Sequence, residues 1–249
     1  MPPTKNTRAQ DFEASDRLGL AMAPTVPEPE RRKLPRGTSG LPREIVDQEQ
    51  RKRLVVATAH VVAEKGYAET TVADIIAGAG VSRATFYDLF KDKEECFLYG
   101  FEKLSKAHLR DMLRAMDPSL PLPEQFLSGL RAYLRRVDAD LSLARAFFAE
   151  AESATPRIRA EFALRAQEMR VRFGEWLREV QRYHPQAIRT GESEILLMTS
   201  GLRGFIIDGV RSGRPFTEKD ARKVCRFAFA CFGLYAWAAE LESIAPLNE

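Results

Sequence analysis

The stretch Thr70–Glu102, TTVADIIAGAGVSRATFYDLFKDKEECFLYGFE, decides the fold. Thr71-Val72-Ala73-Asp74 has the Thr-x-x-acid spacing of a helix N-terminal cap. Val72, Ile75, Ile76 and Ala79 then supply one apolar face, and Gly78-Ala79-Gly80 ends the run where glycine permits a sharp turn. Ser82 offers a second N-cap, followed by Arg83-Ala-Thr-Phe-Tyr-Asp-Leu-Phe90. Phe86, Leu89 and Phe90 stand at i, i+3 and i+4 and form a buried face; Arg83, Ala84, Tyr87 and Asp88 fall on the other side. The spacing predicts two short helices across a glycine turn.

Upstream, Ile45, Leu54, Val55, Ala59, Val62 and Ala63 return to one helical face, which predicts a helix over about 43–65 closed by Gly66. Downstream, helices are expected at about 92–116, 122–137, 141–153, 156–183, 192–212 and 217–243, the last capped by Thr217 with Asp220. No alternating run of useful length signals a strand. The fold class is all-α, with a three-helix N-terminal domain over 43–93 and a larger helical domain over 94–249. Residues 1–42 carry Pro at 2, 3, 24, 27, 29, 35 and 42 without apolar periodicity, which predicts a flexible arm. Arg31, Arg32, Lys33 and Arg36 near its end are either solvated linker charge or an added attraction for DNA phosphates.

Bulk composition narrows the function classes. In 249 residues, 45% hydrophobic and 29% charged, the longest uncharged stretch is the 13 residues Phe227–Ala239. That is short of the roughly 20 needed to span a membrane, so no membrane segment is expected. The N-terminus has acidic residues and no apolar signal core, and Cys96, Cys225 and Cys231 form no CxxC pair, so a cytoplasmic protein is expected. His60, His108 and His184 are isolated, and neither a metal site nor a cofactor motif is expected. The net charge of +3 is too weak to argue for nucleic acid by itself.

Local pattern carries that argument instead. Two short helices around a glycine turn make a helix-turn-helix, whose second helix fits the major groove of B-DNA, about 12 Å wide. Arg83 can donate two hydrogen bonds to guanine, Ala84 can touch a thymine methyl, and Thr85 can bond either kind of base edge. Thr71 and Ser82 stand at helix N-termini, where free N–H groups favour a phosphate, and Tyr87, Lys91 and Lys93 flank the second helix with further donors. Residues 43–93 hold eight Lys or Arg and eight Asp or Glu, so the geometry, rather than a basic excess, marks the partner as double-stranded DNA.

The same run resembles the DNA-binding domain of the TetR family of transcriptional regulators, through Gly66-Tyr67, Thr71-Val72, Ala79-Gly80-Val81-Ser82, Thr85-Phe86-Tyr87, Phe90 and Lys93-Glu94-Glu95. The resemblance covers about 55 residues closely. It implies a homodimer that places two recognition helices on the half-sites of a palindromic operator. It implies that Thr71, Ser82, Thr85, Tyr87 and Lys93 meet DNA, and that Arg83 and Ala84 set operator preference. It further implies a C-terminal helical domain that dimerises and encloses a small apolar effector. Ile76 stands where many members have Ala, and Asp88 where His, Arg or another donor is frequent. Asp88 would repel a phosphate; it points at a cytosine N4 donor, pairs with Arg83 or Lys91, or faces water.

Residues 94–249 hold most of the aromatic side chains, which build either a close-packed core or an apolar cavity between helices. The candidates for effector contact are Phe101, Arg131, Tyr133, Phe147, Glu150, Arg170 and Phe173. The last two expected helices mix large and small residues as a dimer seam or an internal core would. Leu196, Thr199, Leu202, Phe205, Phe227, Cys231, Leu234 and Tyr235 are the dimer candidates. Three functions compete: a repressor released from its operator by the effector, a constitutive DNA-binding regulator, and an enzyme tethered to DNA by a helix-turn-helix. No nucleophile–base pair, metal spacing or phosphate loop appears in 94–249, which argues against the third.

Overall fold

Side-chain caps set the helix starts as the spacing requires. Thr71 and Thr217 each form a full capping box with the acid three residues on, and Ser82, Asp92 and Asp140 each accept from a backbone N–H at N3. The structure is a computed structural model and describes residues 42–183 and 191–244. The arm before Pro42, with its basic cluster, and His184 lie outside the described residues. The elements are α1 (Arg43–Glu69), α2 (Val72–Ala79), α3 (Arg83–Leu89), α4 (Lys93–Ala115), α5 (Leu122–Asp138), α6 (Leu141–Ala144), α7 (Pro156–Tyr183), α8 (Glu192–Ser212), α9 (Glu218–Cys231) and α10 (Tyr235–Glu240). Among the described residues there is no strand.

Three helices depart from their expected course. α1 does break at Gly66 (φ 83°, ψ 159°) but resumes for one short turn to Glu69, which Lys93 closes from outside. The helix expected over 141–153 is α-helical only to Ala144; it widens into a π turn at Arg145–Ala149 and tightens into a 3-10 turn at Glu150–Ser153. The last expected helix is split. Gly233 adopts φ 60°, the Leu234 N–H reaches back to the Phe229 carbonyl at 2.8 Å, and the Gly233 N–H reaches Ala230 at 3.0 Å. That paired closure terminates α9, and α10 restarts after Leu234.

Two apolar clusters stand out among the described residues. The first joins Leu54 and Ala57 of α1, Ile75 and Ala79 of α2, Phe86 and Leu89 of α3, Phe90, and Cys96 of α4. Phe86 is fully buried, worth about 2–3 kcal/mol of transfer energy. The second gathers α5, α8, α9 and parts of α6, α7 and α10 around Leu127, Ile206, Cys225, Phe229 and Phe232. A further run of buried aromatic contacts links α1, α4 and the π turn: Tyr67 lies 5.2 Å from Phe97, and Phe97 lies 4.8 Å from Phe147. α4 packs against both α1 and α5, on either side of the expected boundary at 93/94.

Candidate nucleic-acid interface

α3 is held from three directions, which leaves one face open. At its start, Ser82 Oγ accepts the Thr85 N–H at 3.0 Å and lies 2.8 Å from the Thr85 hydroxyl. From behind, Phe86, Leu89 and Phe90 sink into the first core. At its end, Arg51 of α1 donates from Nη1 to the Leu89 carbonyl at 2.8 Å while its guanidinium covers Phe90 at 4.9 Å and Tyr99 at 5.5 Å. Ser82, Arg83, Ala84, Tyr87, Asp88 and Lys91 are exposed, with Tyr87 48% accessible. The Arg83 guanidinium rests 5.6 Å from the Tyr87 ring centroid.

The turn before α3 is equally specified. Gly80 is left-handed (φ 63°, ψ 38°), a conformation costly for residues with a Cβ. Arg53 donates to the Gly80 carbonyl at 3.4 Å. The Thr71 hydroxyl accepts the Asp74 N–H at 3.2 Å and donates to Asp74 Oδ2 at 2.5 Å. Lys65 completes that corner at 2.6 Å from Asp74; this hydrogen bond, with those from Thr71, holds the carboxyl well below the usual carboxylate range.

The expected DNA-facing residues thus divide by what they already hold. Arg83, Ala84, Tyr87 and Lys91 present exposed side chains; Ser82 and Thr71 are exposed but serve as caps; Thr85 is half-buried and bonded to Ser82. Lys93 is placed differently from a free phosphate donor. Its Nζ donates to the carbonyls of Tyr67 at 3.0 Å, Ala68 at 3.2 Å and Thr70 at 2.7 Å, and lies 4.6 Å from the Tyr67 ring centroid. Burial lowers the Lys93 pKa below its ordinary value. Arg51 and Arg53 were not singled out by sequence. They sit in a basic run, Arg51-Lys52-Arg53, and nothing in their spacing shows that two of the three turn inward to the helix-turn-helix.

Farther along the chain, Phe101 stacks on Phe162 at 3.6 Å and lies 6.3 Å from the fully buried Phe147. Arg131 is bound to Glu218, Nε to Oε2 at 2.7 Å, so its charge is committed inside the protein. Tyr133 meets His108 edge-on at 5.3 Å, and Phe173 packs with Phe126, Trp176 and Phe232. Glu150 and Arg170 are half-buried. The contacts bring Phe101 and Phe147 together but direct Arg131 elsewhere. Of the dimer candidates, Leu196, Phe227 and Tyr235 are exposed, Tyr235 by 70%; Leu234 is buried in the second core. Leu202, Phe205 and Cys231 pack partly against that core, and Thr199 bonds back to the Ile195 carbonyl.

A capped, clamped second helix with one polar face open is the geometry of a helix-turn-helix motif. Residues 54–99 match the family model of bacterial regulatory proteins of the tetR family. The chain is 36% identical over 85 residues to YhgD of Bacillus subtilis strain 168, an uncharacterized HTH-type transcriptional regulator; the match covers 34% of this chain and 44% of that protein. The fold matches a putative TetR-family regulator from Syntrophomonas wolfei with TM-score 0.65 and 19% identity, covering 76% of this chain and 97% of that one. It also matches the fatty acid degradation regulator FadR from Bacillus halodurans (TM-score 0.64, 17% identity, 74% and 95% covered). A third likeness is FadR from Bacillus subtilis, solved in complex with stearoyl-CoA (TM-score 0.60, 17% identity, 71% and 96% covered). The family match falls on the segment that carries the helix-turn-helix, and the chain spans less than half the length of the curated relative it matches. No helix among the described residues is long and apolar enough to cross a membrane.

Proposed function

We propose that the chain works as a homodimeric repressor that leaves a palindromic operator when a small, largely apolar effector binds its C-terminal domain. The observation that carries DNA reading is the open face of α3, where Arg83, Ala84 and Tyr87 stand in solvent while Phe86 anchors the helix from behind. Dimerisation is supported by a stripe on α8: Leu197, Gly201 and Gly204 are exposed, Leu197 by 65%, and the half-exposed Phe227 of α9 lies against Gly201. A Cβ on Gly204 would meet nothing within 4 Å in its own chain, which leaves room for a second copy.

Effector response is supported by the π turn. Phe147 packs on Phe97 and Phe101 of α4, while its neighbour Phe148 lies 5.9 Å from the His108 ring. Adjacent residues of the π turn thus touch α4 at two levels, and Phe148 also packs against the second core. Among the described residues, His108 Nε2 is buried with no hydrogen-bond partner, and so is Arg136 Nη2. An apolar effector with one polar group would satisfy them and move Phe148. The stearoyl-CoA seen in the Bacillus subtilis likeness makes long-chain acyl compounds the first class to try.

The test is selection of random duplex DNA by the full chain, followed by the mass of the complex in solution. Two chains on an inverted repeat, released by an acyl compound, is the expected result. A single chain bound to a site without symmetry would contradict the dimeric reading.

A further inference from the structure

We propose that Asp88 is a specificity-determining residue, its carboxylate accepting a hydrogen bond from the N4 amine of a cytosine in each half-site. This rests on the reading that α3 enters the major groove. Asp88 is exposed on the same side of α3 as Ala84, one helical turn back, and neighbours Tyr87. Its carboxylate has neither an ion pair nor a hydrogen bond among the described residues. Arg83, the cation that sequence offered as its partner, rests instead on the Tyr87 ring, and Lys91 spends only its backbone N–H, on Glu95.

A free carboxylate on a groove-facing surface is repelled by every phosphate, and the DNA groups that favour it are the base donors. The major groove shows two, adenine N6 and cytosine N4. Adenine sets its N7 acceptor beside N6, which repels a carboxylate; cytosine carries no acceptor next to N4 on its groove edge. Asp88 therefore selects cytosine. Five residues separate Asp88 from Arg83, about 7.5 Å along a helix, or roughly two base-pair steps of 3.4 Å. The cytosine is expected about that far from the guanine bound by Arg83.

The experiment is selection of random duplex DNA by the wild-type full chain and by Asp88→Ala, with thermal melts to show that both are folded. Wild type is expected to enrich cytosine at one step of each half-site by about five- to tenfold, and Asp88→Ala to lose that enrichment while keeping the Arg83 guanine. A wild-type consensus with no cytosine at that step, or cytosine retained by Asp88→Ala, overturns the assignment. Failure of wild type to select any sequence would instead sink the DNA-reading function beneath it, so the two failures are distinguishable.

Discussion

The Lys93 ammonium donates to the Thr70 carbonyl at 2.7 Å, joining the first residue of α4 to the end of α1 across 23 positions of sequence. With its bonds to Tyr67 and Ala68 it closes a helix end whose last turn carries no other basic residue. The charge thereby satisfies orphan carbonyls and fixes the angle at which α4 leaves the DNA-binding domain. Lys93→Ala is expected to cost about 1–2 kcal/mol in urea unfolding of the DNA-free protein. Unchanged stability with weakened operator binding would return Lys93 to the role of a phosphate contact alone.

Gly100 sits where α4 crosses α1 and the π turn. A Cβ there would lie 2.7 Å from Val55 Cγ1 and 2.9 Å from Phe147 Cζ, and the Phe147 ring is fully buried. Replacing glycine in a helix gains about 1 kcal/mol of propensity, but overpacking costs about 1–3 kcal/mol, so the clash wins. Gly100→Ala is expected to lower the melting temperature. A rise would show that the junction yields more readily than its packing suggests.

Gly204 offers the opposite case, since nothing of its own chain stands near. Gly204→Arg is expected to leave the circular dichroism spectrum intact while shifting the mass in solution from dimer to monomer. A dimer of unchanged affinity would remove this stripe of α8 from the interface.

His108 gives a pH dependence with a defined sign. Burial, with the Arg136 guanidinium nearby, lowers its pKa to about 3 from the ordinary 6.5. The unfolded chain therefore binds this proton first as pH falls, so the histidine's contribution to stability is present above pH 6.5 and drains away between about 6.5 and 3. Asp111, which pairs with Arg136 at 3.5 Å, is part of the same neighbourhood. His108→Leu is expected to flatten the loss of unfolding free energy on going from pH 7 to pH 4.5. Equal slopes for the two proteins would place the histidine in contact with water.

How much of this was legible in sequence depended on the range of the interactions involved. Helices α7 and α8 fall on the expected spans 156–183 and 192–212, and the two faces of α3 divide at the residues that i, i+3, i+4 spacing assigns. Those features are set within four residues of chain. The helix expected over 217–243 breaks because Gly233, inside that span, takes a left-handed φ of 60° that ends α9. The π turn at 145–149 carries no local signal; Arg-Ala-Phe-Phe-Ala is an ordinary helical run, and its widening accompanies contacts with α1 and α8. Arg51 and Lys93 were opaque for the same reason, since their partners lie 38 and at least 23 residues away.

The central claim is that the exposed side of α3 reads DNA. Fluorescence anisotropy on a selected operator duplex, with wild type and the Arg83→Ala/Tyr87→Ala double variant, tests it most directly. The double variant is expected to bind at least about tenfold more weakly and to lose preference for the operator over scrambled duplex, with its melting temperature unchanged. Equal affinity and equal preference in the two proteins would mean that DNA docks on some other surface.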